Sequence, residues 1–222
     1  MGCWSAENAT NAYLKTLRMG QKAKEPDTAE FISALAAGNN AQLMVVACAN
    51  SANSTVLALV AAAHQTGGKV ICILAGHQEL EFSKQVLGFD ACHVEFIIGE
   101  PQNLLLNHYS EADFVLIDCN LDNHEGILRA VEESRKQNGA VVVGYNAFSK
   151  GSWWSSGSKT QLLPIGEGLL VTRIGANGKN TRRGHLRNSS SGSHWVVKVD
   201  KCTGEEHVFR VRIPQEKQII QA

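Results

Sequence analysis

From Gln42 to Tyr145 the chain alternates between short runs of uninterrupted apolar residues and longer stretches in which apolar residues return every three or four positions. The runs QLMVVAC, KVICIL, HVEFIIG, DFVLIDC and AVVVGY are too short for helices and show no regular polar alternation. That pattern predicts strands buried on both faces. The intervening segments STVLALVAAAHQ, QELEFSKQVLG, PQNLLLNHY and HEGILRAVEESRKQ have helical spacing, and the last stops at Asn138-Gly139. Five buried strands separated by helices predict a doubly wound α/β core, a parallel sheet covered on both sides.

Two further helices are predicted ahead of this core. Ser5 is placed to cap one in which Ala9, Tyr13 and Leu17 recur at four-residue spacing, ending at Gly20. Pro26, Asp27 and Glu30 form a capping box that opens a second, FISALAA, which stops at Gly38. Beyond Tyr145 the texture changes. SKGSWWSSGSKT reads as a loop, and LLPIGEGLLVTRI as two strands around Gly166-Glu167-Gly168, an antiparallel hairpin closing one sheet edge. Residues 175–193 turn to Gly, Asn, Ser and Arg, after which HWVVKVD and HVFRVRIP flank Cys202-Thr203-Gly204 as a second hairpin. The expected organisation is a main domain over residues 1–174 whose first 40 residues are a helical lead-in, a basic segment over 175–193 and a β-hairpin extension over 194–214.

Composition narrows the functional classes. The 222 residues are 44% hydrophobic, and no apolar run approaches the roughly 18 residues of a membrane span. The 21 basic and 21 acidic residues cancel, which argues against a chain that coats nucleic acid. The balance is uneven along the chain: residues 1–172 hold 11 Lys/Arg and 17 Asp/Glu, and residues 173–222 hold 10 and 4. An acidic body followed by a basic extension implies a tail that folds back on the body or recruits an acidic partner. The cysteines at 3, 48, 72, 92, 119 and 202 show no C-x-x-C pair and no His at zinc-finger spacing, so no metal cluster is expected. Cys48, Cys72 and Cys119 lie in or beside apolar runs and read as core residues. No secretory leader precedes Ala6, so a cytoplasmic or nuclear location is expected. Gly2 and Cys3 open like an acylation signal, although Ala6 stands where that signal has Ser or Thr.

In an open parallel sheet, ligands bind beyond the carboxyl ends of the strands, where strand order reverses. The loops of interest therefore follow Ala47, Leu74, Ile98, Ile117 and Val143. Nucleotide-type sites carry glycines in the first of these and an acid after the second strand. Here no glycine lies between Gly38 and Gly67, and the second strand closes on Leu74-Ala75. The first loop is instead Asn50-Ser51-Ala52-Asn53-Ser54, rich in residues that hydrogen-bond locally, and the helix N-terminus after it offers an anion site. A capped strand-to-helix turn without a ligand fits the same residues equally well.

DFVLIDCNLDNH resembles the D-F-V-F-I-D-A-D-K-x-N-Y stretch of cation-dependent O-methyltransferases of the catechol and caffeoyl-CoA type. VVVGYNAFSKGSW resembles their I-V-A-D-N-x-L-W-S-G, and QLLPIGEGLLVTR their L-L-P-I-G-D-G-L-L-V-A-R. The resemblance runs in order over residues 5 to 174 and implies the class I S-adenosylmethionine methyltransferase fold, a Rossmann-like sheet. The opening MGCWSAENATNAYL and the layout are similar to an uncharacterised plant family of that superfamily. The resemblance also implies a divalent cation, held by two Asp and an Asn, that lowers the pKa of a substrate hydroxyl. Asp118 matches the first ligand and Asn146 the last, while Tyr145 replaces the second Asp and Leu121 replaces the Lys base of the catechol enzymes. On the cofactor side, the acid of the first strand falls at Val46, Ala47 or Cys48 and the ribose acid at Leu74, whereas Gly99-Glu100 matches the pattern on the adenine side.

Asp118, Tyr145 and Asn146 are thus the candidate catalytic residues, and Asn50, Ser51, Asn53, Ser54 and Glu100 the candidate contacts to S-adenosylmethionine if it binds. With one carboxylate lost, no metal is expected. Each candidate has a plainer role beside the functional one. Asp118 suits a helix cap, Tyr145 suits filling the space a metal leaves, and Trp153 and Trp154 suit either a lid over an aromatic ligand or packing at the sheet edge. His77 and His124 follow the second and fourth strands and are the residues able to replace the base, or else solvated surface groups. Arg173, Lys179, Arg182, Arg183 and Arg187 are too spread and lack interleaved aromatics for nucleic acid, so no nucleic-acid partner is expected. The resulting expectation is a methyltransferase-superfamily protein with eroded metal and cofactor motifs that binds a small molecule or an acidic protein. The alternative is an active, metal-independent methyltransferase acting on a small molecule.

Overall fold

The five apolar runs form the strands their pattern predicts: β1 (Leu43–Ala47), β2 (Lys69–Leu74), β3 (Val94–Ile98), β4 (Phe114–Asp118) and β5 (Ala140–Tyr145). The computed structural model describes residues 4–19, 28–134, 139–148, 159–175, 193–199 and 206–212. The strands pair in parallel in the order β3-β2-β1-β4-β5. Beyond β5 the sheet continues antiparallel with β7 (Leu169–Ile174), and β6 (Lys159–Leu163) lies outside it, so the predicted hairpin closes that edge. β1, β4 and β5 are buried almost throughout, and each Val, Ile or Leu fully buried there contributes about 1.5–3 kcal/mol. β3 departs from the expectation of burial on both faces, because it is the opposite edge strand and keeps only Val94 fully buried.

Alternate residues of each strand feed two separate cores. Val46, Cys48, Cys72, Leu74, Val143 and Tyr145 pack with α2 (Thr28–Gly38) and α3 (Ser54–Thr66), joined by Leu80 and Leu87 of α4 (His77–Leu87). Val45, Ala47, Ile73, Ile117 and Val142 pack on the other side with α5 (Pro101–Asn107) and α6 (His124–Ser134). The chain leaves α4 at Gly88, whose φ of 57° suits glycine, and runs through a 3-10 turn over Gly88–His93 that the apolar pattern does not announce. Gly68 sets the approach of β1 and β2. A Cβ there would lie 2.6 Å from the Ala41 carbonyl oxygen and 2.9 Å from that of Gln42, which accepts from Lys69 N.

The lead-in helix α1 (Ala6–Met19) starts at Ser5, whose hydroxyl accepts from Asn8 N. Its most buried residues are Ala9, Ala12 and Thr16, with Tyr13 and Leu17 of the expected row half-buried beside them, because small residues let α1 lie close to α2 and α3. Gly20, Asp27, Trp153, Trp154, the basic stretch 176–192, the turn at Cys202-Thr203-Gly204 and the acylation-like Gly2 and Cys3 lie outside the described residues. The chain divides into two units, Met1–Lys179 and Asn180–Ala222. The second contains an antiparallel pair, β8 (Ser193–Val199) and β9 (Glu206–Arg212), with Ser193 opposite Arg212. No helix among the described residues is long and apolar enough to cross a membrane.

Candidate functional site

Strand order reverses between β1 and β4, so the loop after β1 and the last residue of β4 share the crevice where such sheets bind ligands. The residue at the end of β4 is Asp118, 6% exposed and level with Tyr145 on β5. Its Oδ1 accepts from Asn146 Nδ2 at 2.9 Å and from the Asn120 amide at 3.0 Å, and its Oδ2 from the Ala49 amide at 3.4 Å. The Tyr145 hydroxyl adds a further hydrogen bond. One carboxylate therefore ties the ends of β1, β4 and β5 together.

Tyr145 is 2% exposed, and its phenol is held well above the ordinary tyrosine value. Burial is the largest cause, followed by the electrostatic influence of Cys48 and then of Asp118; the hydrogen bond to Asp118 acts the same way and one to Thr55 opposes. At neutral pH the group is a protonated donor, and a phenol in that state cannot serve as a general base. Asn146 follows in the left-handed region with φ 59°, which Asn tolerates, and this turns its amide back onto Asp118. Ala147 N and Phe148 N then donate to the carbonyls of Gly168 and Glu167, and the half-exposed Phe148 ring lies 3.0 Å from where a Cβ on Gly168 would stand.

The loop after β1 is held by its own hydrogen bonds. Asn53 caps α3, its Oδ1 accepting from Thr55 N at 2.9 Å and from the Thr55 hydroxyl at 2.5 Å. Ala52 N donates to Ser83 Oγ at 2.8 Å, and that fully buried hydroxyl donates onward to the Glu79 carbonyl. Asn50 and Ser54 are exposed and Ser51 is half-buried. Glu100 caps α5, with one oxygen on Gln102 N at 3.1 Å and the other on Asn103 N at 2.7 Å. Where a cofactor acid was sought, Val46, Ala47 and Leu74 are at most 1% exposed. Cys48 and Cys72 meet there with their Sγ atoms 3.7 Å apart. The hydrogen bond to Cys48, then burial, push the Cys72 thiol far up, and burial pushes Cys119 up to about 12.

His77 opens α4 and is exposed, whereas His124 is 8% exposed with Nδ1 2.8 Å from the Leu121 carbonyl oxygen, to which it donates. Among the described residues no cluster of three or more His, Cys, Asp or Glu is arranged to hold a metal ion. Sequence reasoning missed Thr55, Ser83 and Asn120. The signal for Ser83 was present, since it interrupts the inward row Leu80-Ser83-Leu87 of α4 with a hydroxyl that burial obliges to find partners.

Comparison with known proteins bears on the fold. A protein family described as "Protein of unknown function (DUF1442)" matches residues 2–211. Among solved structures, a methyltransferase from Geobacter sulfurreducens aligns with a TM-score of 0.55 at 18% identity, covering 77% of this chain and 90% of that one. An O-methyltransferase from Bacillus cereus in complex with SAH aligns at 0.51 and 13% identity, covering 77% and 91%. The O-methyltransferase TomG from Streptomyces achromogenes, in complex with SAM, aligns at 0.51 and 15%, also covering 77% and 91%. At these identities the likeness establishes the fold, which is the methyltransferase fold implied by the three sequence strings. No curated protein matches the chain.

Proposed function

The chain belongs to the family described as a protein of unknown function, and from that premise we propose that it is a divergent methyltransferase-superfamily protein that works by binding, without metal-assisted methyl transfer. The observation that carries this reading is the state of Asp118. A divalent cation needs oxygen lone pairs, usually from one or two carboxylates with waters. Here both Asp118 oxygens receive N–H or O–H donors, whose positive ends point toward the place a cation would take. Tyr145 brings a protonated phenol in place of a second carboxylate. The donor set does not fit the cation.

The residues facing the implied cofactor fit no better. S-adenosylmethionine offers ribose hydroxyls and an ammonium group, which acids normally bind. The matching positions are buried and apolar, and the Glu100 oxygens are spent on their own helix. Asn50 and Ser51 remain as polar groups at the rim of the crevice, with Phe148 as an exposed aromatic surface two residues after Asn146. Such a rim suits a small neutral ligand with a planar ring or a partner's side chain.

The direct test is transfer of a labelled methyl group from S-adenosylmethionine to a catechol-type acceptor with Mg2+ present. The expected rate equals the protein-free rate. Transfer abolished by EDTA would overturn the reading through the cation, and transfer indifferent to EDTA would establish the metal-independent enzyme instead.

A further inference from the structure

Helix α4 is apolar on two sides. Leu80, Ser83 and Leu87 turn inward, and the last two are fully or almost fully buried. Phe82 and Val86 stand one helical turn apart at 56% and 48% exposure, and Phe89, in the 3-10 turn that follows, is 101% exposed. Three of the nine large apolar side chains exposed among the described residues thus fall within eight consecutive positions. A helix that is apolar on both sides needs cover on both. Taking about 200 Å² for a whole Phe, the three side chains leave roughly 400 Å² of apolar surface bare, as large as the largest patch on a typical monomer.

We propose that this face is the contact between two copies of the chain. The order aromatic, aliphatic, aromatic, with Val86 in the middle, is its own complement about a two-fold axis. An antiparallel crossing centred on Val86 sets Phe82 against Phe89 of the partner subunit, and the same contact recurs on the other side of the axis. The rim is mixed, with the half-buried acids Glu79 and Asp90 at the flanks of the patch. Glu81 and Lys84 neutralise each other in an ion pair of 3.1 Å, and Gln78 and Gln85 are uncharged. Two patches supply about 800 Å² of apolar contact, half of a standard interface of about 1,600 Å² and close to the roughly 57% non-polar share of such interfaces. A membrane or nucleic-acid surface would call for a basic rim, and the one Lys on α4 is already paired.

Sedimentation velocity of the full chain between about 1 and 100 µM tests this. The wild type sediments as a dimer at the upper concentrations, and Phe82→Glu and Phe89→Glu each raise the dissociation constant at least tenfold with unchanged circular dichroism. Because Phe89 is wholly exposed, its replacement does not threaten the fold. Leu162→Glu, on the far edge strand β6, leaves the dimer intact. A wild type that is monomeric throughout overturns the proposal, as does a dimer that survives both Phe substitutions or is lost only with Leu162→Glu.

Discussion

Asp118→Ala lowers the stability of the main unit by about 2–4 kcal/mol in urea denaturation at pH 7, because the hydrogen bonds lost are made to a charged acceptor. The substitution removes the carboxylate that accepts from the Tyr145 hydroxyl, the Asn146 side-chain amide and the Asn120 and Ala49 amides, and it cuts the tie between the ends of β1, β4 and β5. Each buried donor left without its acceptor costs about 1–3 kcal/mol, so the total is below a plain sum only because the loops relax toward water. Tyr145→Phe removes one donor and costs about 1 kcal/mol. In the background of Asp118→Ala that second change costs less, since only the hydrogen bond with Thr55 is then left to lose. The contrast with a ligand-holding carboxylate is sharp. An acid kept poised for a ligand strains the free protein, and its removal is neutral or stabilising. A stability gain in Asp118→Ala would therefore return this residue to the candidate catalytic group.

Tyr145→Asp produces the opposite behaviour toward cations. It places a second carboxylate level with Asp118 on the neighbouring strand, beside the Asn146 amide, and without a cation the like charges destabilise the buried site by about 3 kcal/mol or more. Mn2+ or Ca2+ then recovers much of the loss: at a concentration a hundred times the dissociation constant, about 2.7 kcal/mol returns by linkage. Thermal melts of both proteins with and without 1 mM cation read the difference. The wild type is unmoved by the cation while the variant shifts upward by several degrees. Stoichiometric Mn2+ binding by the wild type that Asp118→Asn abolishes would contradict the proposed cation-free clamp, whatever the variant does.

The sheet was legible because its strands are continuous apolar runs, a pattern that parallel pairing between two helical layers demands. β3 was grouped with them and yet lies half open, and the interruption of its run by the exposed Glu95 was the readable sign of an edge strand. In α1 the four-residue row through Tyr13 and Leu17 marked the flank of the buried face, where both residues are half-buried, and not its centre. Packing against α2 and α3 favours the small residues Ala9 and Ala12, a choice made by the neighbours and not by the helix. At the site, Asp118 was legible as a strand-end acid, but what it holds was not. Its partners come from the loops after β1 and β4 and from β5, brought together by a register that no local pattern encodes. Glu100 is the converse case. Glu followed by Pro at the start of a helix was a readable cap, and its match to a cofactor motif drew attention from the amides two and three residues on.

The central claim is the one proposed above, that the methyltransferase fold persists here while Asp118 is spent on holding the strand ends and Glu100 and Asn53 on capping helices. Isothermal calorimetry of the full chain with S-adenosylmethionine, and with its demethylated product, tests that claim most directly. The account predicts no binding heat at ligand concentrations up to about a millimolar, equivalent to less than about 4 kcal/mol of affinity. A one-to-one isotherm with a dissociation constant in the micromolar range would contradict it.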